Sequence, residues 1–159
     1  MTYREQLQKI AEDYRAAGMP WPARSNEIAA WAIDNNLWQA HRSTLISRCA
    51  EEISDALREE YYTDPQGRRV RTKHVARIEV DGKQLPLWDD IRSGNRDHFL
   101  ISVQNRRQQI VGDCLQLKTD VDSFNENNNP GAAIQLILDF SDDVVERMAL
   151  QALESVHVH

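Results

Sequence analysis

The stretch LISVQNRRQQIVGDCLQLKTDVDSF, residues 100–124, decides how this chain is organised. Alternating steps of three and four residues connect a set of its positions, and all but one of them are apolar. This set, which we call the seam, consists of Leu100, Val103, Arg107, Ile110, Cys114, Leu117, Val121 and Phe124. The spacing places the seam in one narrow stripe, the pattern of a helix that lies along another helix. The sequence therefore predicts a long, heptad-patterned helical arm over residues 93–127.

The arginine in the seam restricts what can pair with this arm. Arg107 stands where coiled coils prefer an apolar residue, and a polar residue there lowers stability while restricting register or partner. We expect a homodimer, with the partner-binding residues Leu100, Val103, Arg107 and Ile110. The alternative is a brace within one chain, because the first helix carries an apolar stripe of its own between Tyr3 and Ala17.

Three shorter helices are predicted before the arm. The first ends at Gly18, the second runs to about Asn35, and the third follows Trp38. The expected N-caps are Thr2 for the first helix, Ser25 for the second, and Ser43 or Thr44 for the third. The third helix is expected to turn an apolar face inward, made of Leu45, Ile46, Cys49, Ala50, Ile53, Ala56 and Leu57.

Short extended segments separate the third helix from the arm. Turn residues at Asp64–Gly67 predict a hairpin between segments 61–63 and 70–78. A second turn at Asp81-Gly82 indicates that 78–80 pairs with 85–87. After the arm, Ile134–Phe140 reads as a strand, and Ser141 is expected to cap a last helix.

The predicted fold is therefore mainly α with a small β-hairpin. We expect a winged-helix-like domain over 1–92, the helical arm over 93–127, and a C-terminal strand and short helix over 128–159.

The N-terminal part resembles a family of DNA-binding modules. Three helices followed by a basic hairpin are the element order of winged helix-turn-helix domains. Ser25-Asn26-Glu27-Ile28-Ala29, Asn36-Leu37-Trp38 and Ser43-Thr44-Leu45 resemble the HARE-type winged helices, in which a leucine-tryptophan pair precedes a Ser/Thr-initiated recognition helix. The resemblance covers about a third of the chain and implies that the third helix enters the major groove of DNA.

Charge agrees with DNA as a partner at two places. The segment Gly67–Arg77 carries five basic residues and no acidic one, which suits a wing that grips phosphates. The expected nucleic-acid-binding residues are Arg42, Ser43, Thr44, Ser47 and Arg48 on the third helix, and Arg68, Arg69, Arg71, Lys73 and Arg77 on the hairpin. Acidic residues from Glu51 to Glu60 would repel DNA from the rest of that helix. A protein-binding winged helix and a solvated hairpin without a ligand therefore remain alternatives.

Two segments resemble the peptides that dock onto the bacterial β sliding clamp, which start with Gln-Leu and end in an apolar residue. They are Gln84–Trp88 and Gln135–Phe140, and each also reads as a strand with ordinary core contacts. The residues expected to bind a protein partner in the first segment are Gln84, Leu85, Leu87 and Trp88. An adaptor of replication proteins is therefore the alternative function to nucleic-acid binding and transcription regulation.

Composition narrows the remaining classes of function. The 159 residues carry a formal net charge of −6, which opposes indiscriminate binding to polyanions, and no apolar run is long enough to span a bilayer. Asp64 and Asp81-Gly82-Lys83 resemble a metal-dependent nuclease site only superficially, because both aspartates fall in predicted turns. No histidine motif or Gly-rich phosphate loop is present. We expect a cytoplasmic, non-enzymatic protein with two buried thiols, Cys49 and Cys114, and with no catalytic residues, metal or cofactor.

Overall fold

The computed structural model describes residues 1–157, which form five α-helices and two antiparallel hairpins. The helices are α1 (Tyr3–Ala16), α2 (Ser25–Asp34), α3 (Arg42–Arg58), α4 (Arg96–Asn127) and α5 (Ser141–His157). The strands are β1 (Tyr61–Thr63), β2 (Arg69–Arg71), β3 (Lys73–Val80) and β4 (Lys83–Asp90). The prediction of a mainly helical chain with small antiparallel strand pairs and one long helix is confirmed.

The chain divides into two compact units, Met1–Glu59 and Glu60–His159. The first contains α1 to α3, and the second contains both hairpins with α4 and α5. This division differs from the predicted domain 1–92, which groups the hairpins with the N-terminal helices.

The first unit is held together by α1 and α2. The expected capping box of α1 is present, since the Glu5 N–H donates to Thr2 Oγ1 and the Thr2 N–H to Glu5 Oε2. Tyr14 is buried and meets the ring of Trp31 edge-on, with ring centroids 5.6 Å apart. The indole N–H of Trp38 reaches back 2.9 Å to the hydroxyl of Tyr3. These contacts fix the chain on both sides of α2.

Two helix starts differ from the prediction. Ser25 is the first residue of α2 instead of its cap, because the Arg24 N–H is bonded by the Glu27 carboxylate at 3.2 Å. The third helix begins at Arg42 with His41 at the N-cap, so neither Ser43 nor Thr44 caps it. No Ser or Thr hydroxyl caps α2 or α3. A prediction based on Ser/Thr caps therefore misplaces the starts of both helices.

The predicted inward face of α3 is wrong. None of the residues of this helix is buried, and Leu45, Ile46 and Ile53 are each more than half exposed. Cys49 on the same helix is also exposed, and Cys114 is only half-buried, so the prediction of two buried thiols is wrong as well. The apolar periodicity correctly predicts a helix, but no element within the first unit covers the apolar side of α3.

The second unit contains two successive hairpins that join at Thr72. Tyr62 pairs with Val70 in the first, and eight residues of β3 pair with β4 in the second, around an Asp81-Gly82 turn in which both residues have positive φ. The predicted strand 70–78 is therefore split. Thr72 breaks it because its N–H donates to the Glu60 carbonyl and its own carbonyl accepts from the Ile91 N–H, both at 2.9 Å.

The long helix packs one face against the second hairpin. His98 Nε2 donates to the Leu87 carbonyl oxygen, and Asn105 Oδ1 accepts from the Arg77 N–H, both at 2.8 Å. Ala76 on β3 and Ser102 on α4 are completely buried, and their small side chains let the helix approach the strand closely. The second hairpin therefore covers the face of α4 that carries His98, Ser102 and Asn105.

The region after α4 is irregular until α5 begins. Residues 134–140 form no strand, so that prediction is wrong. The Asn125 side chain replaces a strand partner, since it bonds both the N–H (2.9 Å) and the carbonyl (3.0 Å) of Ile134. Ser141 is the first residue of α5, and its N–H donates to Asp139 Oδ1, which lowers the pKa of that carboxyl.

Replacing Ser102 by alanine should stabilise the protein. Its hydroxyl is buried without a hydrogen-bond partner among the described residues, and such a group costs roughly 1–3 kcal/mol. We expect Ser102→Ala to raise the free energy of unfolding by about 1 kcal/mol in urea titrations. Ser102→Leu should lower it by about 1–3 kcal/mol, because the larger side chain would push α4 away from Ala76. A destabilised Ser102→Ala variant would contradict this account of the contact.

Candidate nucleic-acid interface

The turn of the first hairpin is built around a buried aspartate. Asp64 Oδ1 accepts the backbone N–H groups of Gln66 (3.0 Å) and Arg68 (2.8 Å), and Oδ2 accepts Arg68 Nε at 2.8 Å. The bond from the Arg68 N–H is the main cause of the lowered pKa of Asp64. Asp64 thus acts as a turn residue, and the charge of Arg68 is used to hold that turn.

Arg69 is exposed on the first hairpin, as is Arg68, but unlike Arg68 it forms no ion pair among the described residues. Its guanidinium lies 4.0 Å from the ring centroid of Tyr61, on the neighbouring strand. Stacking on an aromatic ring orients a guanidinium without neutralising it. The ion pairs found among residues 1–157 do not include Arg69, which therefore keeps its full charge for a ligand.

Lys73 belongs to the second hairpin and is neutralised there. Its ammonium lies 3.1 Å from Glu60 Oε2 and 3.4 Å from Asp90 Oδ2. These bonds, chiefly the one to Glu60, raise the pKa of Lys73. Arg92 completes the group, because it pairs with Asp90 at 2.9 Å and stacks on Tyr62. Lys73 was predicted to hold nucleic acid, but its contacts here are structural.

Arg106 of α4 is a cation that was not among the predicted nucleic-acid-binding residues, and it acts on His74 beside the hairpins. His74 is buried, its Nε2 donates to the Arg71 carbonyl at 2.8 Å, and its ring meets Phe99 edge-on. Burial lowers the pKa of His74 first, and repulsion from Arg106 and Arg71 lowers it further. Arg106 of α4 and Arg71 of β2 therefore both act electrostatically on this imidazole. The packing of α4 onto β3 places Arg106 on the same structural unit as the hairpins.

Arg77 points elsewhere. Alternate side chains of a strand face opposite sides, and on β3 the buried residues are His74 and Ala76. Arg77 is out of phase with them and exposed, so it lies on the other face of the hairpin.

The predicted contacts on α3 belong to the first unit. Arg42, Ser43 and Ser47 are exposed at the start of the helix, and Thr44 is half-buried. Arg48 forms an exposed pair with Glu52 at 3.5 Å. Exposed ion pairs are worth about 0–1 kcal/mol, so Arg48 stays available.

The clamp-like segment Gln84–Trp88 lies in β4 and is paired along its whole length with β3. Leu87 is opposite Ala76, whereas Trp88 is opposite Val75, so the two side chains point to different faces. The segment is therefore not a free peptide in this fold.

The candidate carboxylates do not assemble into a metal site. Asp81 occupies the turn of the second hairpin with a φ of 51°, away from the bonds that Asp64 makes. Within residues 1–157, no three His, Cys, Asp or Glu side chains are grouped so that they could hold a metal ion.

No family model, curated protein or solved structure matches this chain. None of the helices among the described residues combines the length and the apolar character that crossing a membrane requires.

The Asp90 contacts predict a pH-dependent stability. The bonds from Arg92, followed by that from Lys73, hold the pKa of Asp90 far below its ordinary value of 3.8. The unfolded carboxyl therefore binds a proton at a higher pH than the folded one, so the stabilisation is present above pH 4 and is lost as the pH falls. Asp90→Asn should lower the urea midpoint at pH 7, and the difference from wild type should shrink towards pH 2. Glu12→Gln, an exposed change on α1, controls for the loss of one negative charge. An undiminished difference at low pH would refute the assignment.

Proposed function

We propose that this protein binds nucleic acid through three arginines of the second unit, Arg69, Arg71 and Arg106, which we call the basic cluster. The observation that carries the proposal is the geometry of Arg69, whose guanidinium stacks 4.0 Å from the ring centroid of Tyr61 and enters none of the ion pairs among residues 1–157. Arg71 lies two residues after Arg69 on β2 and so faces the same side. Arg106 joins them because its charge, like that of Arg71, opposes the protonation of His74 and lowers its pKa. The chain as a whole is acidic, so this concentration of unpaired positive charge is local.

The chemistry of the cluster suits a phosphate backbone. Guanidinium groups bind phosphate oxygens in a forked geometry, and each contact releases a counterion from the nucleic acid. No acidic residue occurs between Pro65 and Ile78 to oppose this approach. Such contacts supply affinity without reading the sequence.

A winged-helix arrangement is part of the proposal. Three helices precede β1 and β2, the order in which a winged-helix domain places its recognition helix before its wing. The exposed start of α3, with Arg42, Ser43 and Ser47, would then read base edges. The acidic residues that follow, such as Glu51 and Asp55, limit the contact to the first two turns.

Neutralising the exposed arginines of the basic cluster should weaken binding. We expect Arg69→Gln/Arg106→Gln to weaken binding to random-sequence duplex DNA about tenfold, and to reduce the slope of log K against log salt by about two. Fluorescence anisotropy at several salt concentrations measures both quantities.

The matched control is Arg77→Gln/Lys83→Gln, which removes two charges from the second hairpin outside the cluster. It should change binding by less than about threefold. Equal losses in the two double variants would indicate attraction by net charge alone, and an absence of salt-sensitive binding by the wild type would reject the proposal.

A second candidate function, docking of a protein partner, is favoured by the segment Gln135–Phe140. It lies outside every helix and strand, and Ile137, Leu138 and Phe140 are all exposed. An irregular segment with exposed apolar side chains has the form of a peptide that fills a preformed groove. We propose the β sliding clamp as the partner of this segment, and not of the paired segment Gln84–Trp88.

Removing the two terminal anchors of Gln135–Phe140 tests this candidate. Leu138→Ala/Phe140→Ala should weaken binding to purified β sliding clamp at least about thirtyfold, measured by surface plasmon resonance. Leu87→Ala in the paired segment should leave the affinity unchanged. Undetectable binding of the wild-type protein, or a loss with Leu87→Ala alone, would reject docking through this segment.

A further inference from the structure

The seam lies on the side of α4 that the hairpin leaves open. At 100° per residue, the seam is roughly opposite the face that carries His98, Ser102 and Asn105. Five apolar residues of the seam are 40–55% exposed, Leu100, Val103, Ile110, Leu117 and Phe124, whereas Cys114 and Val121 are half-buried. A helix of 32 residues thus packs one stripe on β3 and presents a second, apolar stripe to water.

The surface area of the chain indicates that more apolar surface remains to be buried. The accessible area is 13,536 Å². Two separate compact domains of these sizes would together expose only about 10,000 Å². Obligate homodimers bury about 2,000–5,000 Å² summed over both partners, or about 1,000–2,500 Å² per chain, so the excess of about 3,500 Å² per chain is more than enough for one such interface.

We propose that two copies of this chain pair through α4 in an antiparallel orientation, in a register centred on Gly112. The proposal deepens the proposed function by naming the second copy, but its evidence is the seam and not the basic cluster.

The seam is self-complementary in this register. With the two-fold axis at Gly112, the residue numbers of any two opposing seam residues add up to 224. The resulting layers are Leu100 with Phe124, Val103 with Val121, Arg107 with Leu117, and Ile110 with Cys114. Every seam residue therefore finds a partner, and large residues alternate with smaller ones as interdigitated packing requires.

Charge decides between the two possible orientations. A parallel, in-register pair would bring the two Arg107 side chains together inside the seam, and an unpaired charge there is costly. The antiparallel pair separates them by ten residues, about 15 Å along the helix axis. Its one like-charge contact, between the two Asp113 residues, lies at the exposed edge, where repulsion is weak.

The antiparallel orientation sets the distance between the two copies of the basic cluster. Ser102, where β3 packs on α4, is ten residues from Gly112. An antiparallel dimer therefore carries its two β3 contacts at opposite ends of the helix pair, about 30 Å apart along the axis. Two separated copies of one binding surface, related by a two-fold axis, suit a two-fold symmetric duplex site.

Disulfide cross-linking of single-cysteine variants tests the orientation. In a Cys49→Ser/Cys114→Ala background, Val103→Cys and Val121→Cys are expressed separately and together, then oxidised. An antiparallel pair should give a covalent dimer only when the two variants are co-expressed, because residue 103 of one copy lies opposite residue 121 of the other. Covalent dimers in each variant alone would show a parallel pair and overturn the proposal.

Light scattering of the wild-type protein supplies a measurement that does not depend on the cysteines. A dimer should have twice the chain mass of 18.4 kDa. A monomer at micromolar concentration would overturn the proposal, including the case in which α5 folds back on the seam of its own chain.

Two glutamate variants separate this proposal from nucleic-acid binding. Ile110→Glu should weaken the dimer at least about thirtyfold, whereas Gln109→Glu, off the seam, should not. An Ile110→Glu monomer that still binds duplex DNA with a salt slope would support pairing through α4 and confirm that the basic cluster acts within one chain. A dimer that survives Ile110→Glu would overturn pairing through α4, whatever the DNA result.

Discussion

The packing of α4 against β3 is the contact on which the second unit depends. Two hydrogen bonds, His98 to the Leu87 carbonyl and the Arg77 N–H to Asn105, join helix side chains to hairpin backbone. The Asn105 bond satisfies the Arg77 N–H, which lies opposite Pro86 and would otherwise be left to water or to another chain. This contact also fixes the rotation of the helix, and that rotation decides which stripe of α4 faces outward.

Ion pairs within the second unit sort its arginines and lysines by role. Carboxylates beside the hairpins hold Arg68, Lys73 and Arg92 in fixed ion pairs. The cations left without a carboxylate among residues 1–157 include Arg69, Arg71 and Arg106, and the charges of the last two lower the pKa of His74. Composition alone gives all these residues equal weight, but their contacts divide them into those that hold the fold and those that stay free for phosphate.

The secondary-structure elements could be predicted from the sequence more accurately than the tertiary contacts between them. The capping box of α1 is local, so it could be read from neighbouring residues and is found in the structure. The predicted strand 70–78 was wrong because its break at Thr72 depends on Glu60 and Ile91, which are distant in the chain. Arg106 was missed for the same reason, since its electrostatic effect on His74 exists only after α4 has packed on β3. Periodicity also identified the helix of α3, but periodicity does not tell what covers an apolar face.

Apolar helix faces need to be buried, and this requirement links the fold to the proposed dimer. In α5, every residue from 141 to 154 is exposed, including Val145, Met148 and Leu153 on one stripe. A helix whose residues 141–154 are all exposed is only marginally stable in water, because nucleation is costly and tertiary burial normally supplies its stability. The apolar side of α3 has the same deficit. The proposed pairing through α4 would cover the seam and hold a second copy nearby, so that burial of the apolar sides of α3 and α5 would no longer carry the full entropic cost of association.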